Sequence, residues 1–261
     1  MKIAFWSNSR GRNGVTSNLA CISVLLGLLK QQRAVLLENH CHMNNLASAF
    51  SAQLEARELL CETSPLIGKD EWNHILQVVG RGSLGQSTIS LLENNLLYIP
   101  GTRSLQEETI SEWMQKRLVS VLSLMEEYVE KIYIDTASSH YESSQIILQE
   151  ADCVVVNLSQ NPLVLQHFFR NFSQVQKKAF YLIGNYSADS IFTKEHICHK
   201  YGISKNQLGV IPYHVPFSDS LAEGRLISFL QDNLYCRETN VNYNFIQEVV
   251  ETAQKFQCSL N

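Results

Sequence analysis

The chain opens Lys2-Ile3-Ala4-Phe5-Trp6-Ser7-Asn8-Ser9-Arg10-Gly11-Arg12-Asn13-Gly14-Val15-Thr16-Ser17-Asn18-Leu19-Ala20, and the fold is decided here. Ile3 to Trp6 is a short apolar run of the kind that forms a buried strand. The loop after it carries Gly11 and Gly14, which permit a tight backbone path. Ser17 to Lys30 then has helical spacing. A strand, a glycine-containing loop and a helix in that order aim backbone N–H groups and the positive end of a helix dipole at whatever fills the loop, an arrangement that favours phosphate. A glycine turn before a helix is as often only a turn, so the rest of the chain has to weigh in.

Further apolar runs read as buried strands at Ala34 to Leu37, Leu96 to Ile99, Ile132 to Ile134, Cys153 to Leu158, Phe180 to Ile183 and Leu208 to Ile211. Helical spacing recurs between them at Glu107 to Val129, Ser143 to Glu150, Pro162 to Asn171, Thr193 to Tyr201 and Asp219 to Asp232. Alternating strands and helices predict an α/β fold, a mainly parallel twisted sheet with helices on both faces, whose ligands sit beyond the carboxyl ends of the strands. No linker, repeat or low-complexity tract divides the sequence, so 1–261 reads as one domain. Val241 to Cys258 closes it as an apolar-striped helix whose polar face carries Glu248, Glu251 and Lys255. That face lacks the basic character of a membrane-surface helix.

Composition narrows the function classes. Hydrophobic residues are 45% of the chain and charged residues 18%, which suits a buried core and not disorder. The formal net charge of -4 gives no basic field for a nucleic-acid backbone, so DNA is not an expected partner. The seven cysteines, with no C-x-x-C pair, fit a reduced cytoplasm. They also offer no suitable pair for an iron–sulfur cluster. No apolar run reaches the roughly 20 residues of a membrane span.

A working phosphate loop reads G-x-x-x-x-G-K-[ST], its lysine reaching the β and γ phosphates and its hydroxyl the magnesium ion. Gly14 and Thr16 fit this pattern, and Val15 stands where the lysine belongs. Further along, Leu36-Leu37-Glu38-Asn39-His40 follows the second strand, and Ile132-Tyr133-Ile134-Asp135-Thr136-Ala137 ends a later one. His40-Cys41-His42 is read as structural, because adjacent side chains rarely converge on one ion.

Taken together and in order, these segments resemble the ParA/MinD family of deviant P-loop ATPases. Arg10 to Ser17 is similar to its x-K-G-G-x-G-K-[ST]-[ST] loop, and Asn18-Leu19-Ala20 to the start of its helix. Glu38 to His40 matches its Asp-x-Asp switch, Asp135-Thr136 its second switch, and Ala151-Asp152-Cys153-Val154 a following strand. Asn185, after Tyr181 to Gly184, matches a residue that contacts adenine, and Ile211-Pro212 a segment near the base. The resemblance implies ATP or ADP with Mg2+ as cofactor. Arg10, Gly11, Asn13, Gly14, Val15, Thr16, Ser17, Asn185 and Pro212 would line the nucleotide. Thr16, with Asp135 and Glu38 acting through water, would hold the metal. It also implies a homodimer across which the family's signature cation, here Arg10, reaches the partner's phosphates.

The departures set the expected function. Arginine at position 10 keeps the charge but presents a planar fork. Val15 is a substitution also found in the CpaE/TadZ pilus and secretion branch, which makes a nucleotide-binding switch organising such a machine the leading expectation. His40 stands where a carboxylate orients the attacking water. Arg10 and Glu38 are the remaining candidates for a catalytic role, and hydrolysis is expected to be absent or very slow. A nucleotide-free interaction scaffold and a plasmid or chromosome partition protein are the alternatives.

Overall fold

The computed structural model describes residues 1–11, 13–30, 33–40, 46–58, 88–93, 95–99, 118–138 and 142–260. Its frame is an eight-stranded sheet built from β1 (Lys2–Trp6), β2 (Ala34–Glu38), β3 (Ile89–Leu92), β4 (Leu96–Tyr98), β5 (Lys131–Asp135), β6 (Cys153–Leu158), β7 (Ala179–Tyr186) and β8 (Leu208–Pro212). The strand order is β3-β4-β2-β5-β1-β6-β7-β8. Every pairing is parallel except β3 with β4. The seven expected strands all form. Sequence reading did not anticipate β3, whose Ile89-Ser90-Leu91-Leu92 turns back on β4 through a short connection.

The central strands are buried on both faces, so successive residues supply two separate cores. Ala4, Trp6, Val35, Leu37, Ile132, Ile134, Val154 and Val156 enter one. Ile3, Phe5, Leu36, Tyr133 and Val155 enter the other. The first face is covered by α4 (118–126), α5 (Glu142–Glu150), α6 (Pro162–Asn171) and α8 (Lys194–Tyr201), through residues such as Leu122, Ile147, Phe168 and Ile197. The second is covered by α1 (Val15–Lys30), α2 (Leu46–Ala49), α9 (Val215–Ala222), α10 (Leu226–Asn233) and α11 (Tyr243–Ser259). Two shorter helices, α3 (Ser51–Glu58) and α7 (Ser173–Gln176), complete the described set. Of the expected helix at Glu107 to Val129, the part before residue 118 lies outside the described residues. Among the described residues no helix is long and apolar enough to cross a membrane.

One helix expectation is corrected. Asp219 to Asp232 is not continuous: α9 ends at Ala222 and α10 begins at Leu226. Gly224 between them has φ +65°, the left-handed conformation that ends helices and that glycine adopts without penalty. An added Cβ there would lie 1.9 Å from Ser51 Oγ, and the Gly224 carbonyl accepts the Ala52 N–H at 3.3 Å.

The final helix holds one edge of the sheet. Thr252 Oγ1 accepts the Val210 N–H and donates to the Val210 carbonyl, both at 2.9 Å, so it occupies backbone groups of the edge strand β8. Lys131 Nζ, buried, donates to Gln257 Oε1 at 2.7 Å. Close approach depends on Gly209, where a Cβ would fall 2.5 Å from Thr252 Cγ2. Gly209→Ala is therefore expected to lower unfolding stability by about 1–3 kcal/mol through overpacking. Thr252→Ser, which deletes that methyl and keeps the hydroxyl, should recover part of the loss in urea denaturation of the double variant.

Candidate functional site

The loop after β1 is held from beneath by a chain of side-chain amides. Asn13 Nδ2 donates to Ser7 Oγ at 2.6 Å and to Ser9 Oγ at 2.8 Å. Asn18 Nδ2 donates to the Asn13 carbonyl at 3.2 Å and to Asn157 Oδ1 at 2.9 Å. Asn157 Nδ2 in turn reaches the carbonyls of Val155 and Trp6. Ser7, Asn13, Asn18 and Asn157 are all buried. A satisfied buried network of this kind fixes one loop path, because each lost bond strands a polar group away from water.

Above that network the loop turns at Gly11 (φ +73°) and Gly14 (φ +67°). An added Cβ at Gly11 would meet nothing within 4 Å. Val15 is the first residue of α1, with Thr16 and Ser17 following it in the first turn, and that turn carries no acidic side chain. The positive end of the helix dipole is therefore uncompensated by its own side chains. Val15 packs against the second core. Asn13 has its side chain turned inward, and Arg10 is exposed. Arg12 lies outside the described residues.

The end of β7 closes against this loop. Gly184 allows it, since a Cβ there would sit 2.8 Å from both the Asn13 carbonyl and Asn18 Nδ2. Asn185 follows with φ +47° at a break in the β7–β8 register, its side chain exposed. A non-glycine residue in that conformation stores strain and is enriched at binding sites. Pro212 pairs with Tyr186 on the neighbouring strand, and Tyr213 beside it is 65% exposed. Gln160, after β6, brackets the same edge by accepting the Ser187 N–H and donating to the Ser187 and Phe192 carbonyls.

On the other side of β1 lies an acidic centre. Glu38 and Asp135 are register partners at the carboxyl ends of β2 and β5, and both are buried. Glu38 Oε1 accepts the Leu46 N–H, and Oε2 accepts the Tyr98 hydroxyl at 2.9 Å. His40 Nε2 stands 3.1 Å from Asp135 Oδ2. Burial raises the Glu38 carboxyl above its ordinary range, and the charge of Asp135 adds to this. For His40 burial alone would lower the value, but Asp135 and then Glu38 outweigh it and raise it. Asn39 ties this end to α5, its Nδ2 donating to Ser144 Oγ and its Oδ1 accepting from Ser143 Oγ.

The structure thus brings Glu38, Asp135 and the α1 N-terminus to the carboxyl edge of adjacent strands, and it places Asn185 and Pro212 along the same edge. It also makes contacts that sequence reading did not give. His40 converges with Glu38 and Asp135 although its own neighbours Cys41 and His42 lie outside the described residues. Tyr98 and Asn157 have no motif around them, and only their partners in three dimensions reveal their use; Gln160 and Gly184 lie in segments read from the sequence, but their contacts are visible only in the fold. Cys153, inside β6, has its thiol pushed up to about 11 by burial, which leaves it protonated at neutral pH.

No protein-family model and no curated protein matches the chain. Solved structures do. A ParA family ATPase from Chlorobium tepidum superposes with TM-score 0.71 at 14% identity, covering 97% of this chain and 98% of that one. The septum site-determining protein MinD from Pyrococcus horikoshii, complexed with Mg-ADP, gives 0.70 at 14% identity, covering 98% and 96%. A plasmid partition protein of Borrelia burgdorferi bound to AMPPNP gives 0.67 at 16% identity, covering 98% of each chain. The fold of this chain is that of the MinD/ParA P-loop ATPases.

Proposed function

We propose that the chain, as one domain over 1–261, is a ParA/MinD-like nucleotide-binding switch that binds ATP or ADP and hydrolyses it very slowly or not at all. The observation that carries this is the phosphate loop itself, held by the Ser7-Asn13-Asn18-Asn157 network at the start of a helix with no carboxylate in its first turn. Such a loop favours anions through its backbone and dipole even without a lysine. The amides around Asn13, Gly14 and Val15 would face the phosphates, and Thr16 and Ser17 would add hydroxyls. Asn185, Pro212 and exposed Tyr213 would border the base. The similar folds that hold Mg-ADP and AMPPNP support a nucleotide ligand.

Thr16, Asp135 and Glu38 are the residues that would hold Mg2+, which supplies positive charge against phosphate oxygens when bound. Their oxygen donors are of the right type, but His40 shares Asp135 with them. Transfer to water should be slow for two reasons that lie in the chain. Val15 is packed on the core and brings no cation to the γ phosphate, and His40 stands against Asp135 instead of a carboxylate aimed at water. Arg10, exposed on the loop, is free to pair with a partner's phosphate oxygens in a homodimer. We place the switch in the organisation of a larger protein assembly of pilus or secretion type. The net charge of -4 counts against a partition role on DNA.

A second reading, a scaffold that keeps the fold without nucleotide, draws on the same packed Val15 and paired His40. A titration separates the two. Mg-ATP or Mg-ADP at millimolar concentration should raise the melting temperature, and its failure to do so would favour the scaffold. Gly184→Ala, which drives a methyl into the Asn13 carbonyl, should weaken nucleotide binding more than it lowers stability.

Turnover and assembly give two further expectations. Val15→Lys should tighten nucleotide binding more than it raises phosphate release, whereas Val15→Lys with His40→Asp should raise both. Arg10→Ala should abolish ATP-dependent dimerisation in analytical ultracentrifugation; a variant that dimerises like the parent would remove Arg10 from the interface.

A further inference from the structure

We propose that Glu38, His40 and Asp135 form a direct binding site for a divalent transition ion of the Zn2+ or Co2+ class, ligated by the His40 Nε2 and the two carboxylates. One ligand atom from each residue lies within 4.8 Å of the others. Ligands bound at about 2.0–2.2 Å to one ion sit roughly 2.9–3.5 Å apart around its coordination shell. The 3.1 Å between His40 Nε2 and Asp135 Oδ2 already has that spacing, so the adjustment needed falls on Glu38.

Three further observations point to an ion. Asp135 is 1% exposed, and among the described residues its Oδ2 faces one group, His40 Nε2 at 3.1 Å, in an approach too poorly aligned to count as a full hydrogen bond. A buried carboxylate oxygen met only by one poorly aligned imidazole nitrogen is incompletely compensated, and a bound cation between the two would complete it. Two buried carboxylates stand as register partners on adjacent strands, a like-charge pair that one imidazole offsets only in part and a divalent ion would offset fully. Glu38 is oriented by outer groups, the Tyr98 hydroxyl and the Leu46 N–H, as ligating carboxylates commonly are.

The donor set selects the ion. One imidazole nitrogen with two carboxylates suits Zn2+, Co2+ or a similar first-row ion, whereas Mg2+ takes oxygen ligands in near-ideal octahedral geometry and keeps several waters. The ligand that makes the difference, His40, is a residue of this chain's own pattern. The site requires neither the phosphate loop nor a nucleotide, but it uses the two carboxylates placed around Mg2+ above, so an ion held here would take the place of that magnesium; titration without nucleotide tests it separately from the switch.

The test is a titration of the full chain with CoCl2 and ZnCl2 in the absence of nucleotide, with MgCl2 as the control. The parent should take up a single equivalent of Co2+ and show a visible d–d band without thiolate charge transfer. Zn2+ should displace the band and a large excess of Mg2+ should not. His40→Gln and Asp135→Asn should each weaken binding by more than about 100-fold, beyond the roughly 10–100-fold typical of losing an outer-shell partner. Unfolding curves on each variant separate loss of a ligand from loss of the fold. His199→Gln, a change on α8, should leave the titration as in the parent. No Co2+ band in the parent, a thiolate-type spectrum, or equal affinity in the parent and in folded His40→Gln would overturn the proposal.

Discussion

Everything at the site depends on β1 lying buried between β5 and β6. A strand with neighbours on both edges and helices on both faces has no direction in which to vary, so the chain leaving it must do so at one point, the carboxyl edge of the sheet. β5 in register beside it carries Asp135 opposite Phe5, and β2 on the next line carries Glu38 opposite Asp135. Parallel pairing, with its right-handed crossovers, collects strand ends on one edge. Loop and acidic centre are neighbours for that reason.

The two halves of the edge are then held by different physics. On the loop side, amides are matched to carbonyls and hydroxyls in a satisfied network, and the backbone is set by glycines whose missing Cβ atoms make room, above all Gly184 against Asn13. On the other side, charges are buried with a histidine as counterpart. The first arrangement fixes a shape suited to an anion. The second concentrates negative charge suited to a cation. The two lie side by side on one edge, and on the proposed reading they would face the phosphates and their cation.

The outer layers serve this edge indirectly. The last helix clamps β8 through Thr252 and Gly209, and β8 supports the strand end at Tyr186 and Pro212. The break at Gly224 lets α9 and α10 pack as separate pieces, and the same glycine receives the start of α3. Stability at the far edge thus helps hold the Asn185 turn in its strained conformation.

The sequence by itself determined the alternation of strands and helices, the parallel sheet, the loop before α1 and the carboxylates at two strand ends, because these are local: apolar runs, helical spacing and turn residues are read within a few positions. It could not reveal β3, whose pairing is antiparallel and short, or the helix break at Gly224, where helical spacing continues across a residue that turns left-handed. It placed His40 beside Glu38 in the switch, but could not show that the ring stands against Asp135, ninety-five positions away and brought to it by the β2–β5 pairing. Asn18, Asn157 and Gly184 likewise acquire their roles from contacts that cross the sheet. Sequence spacing carries the elements; which side chains share a charge, an ion or a hydrogen bond is settled only when distant strands lie in register.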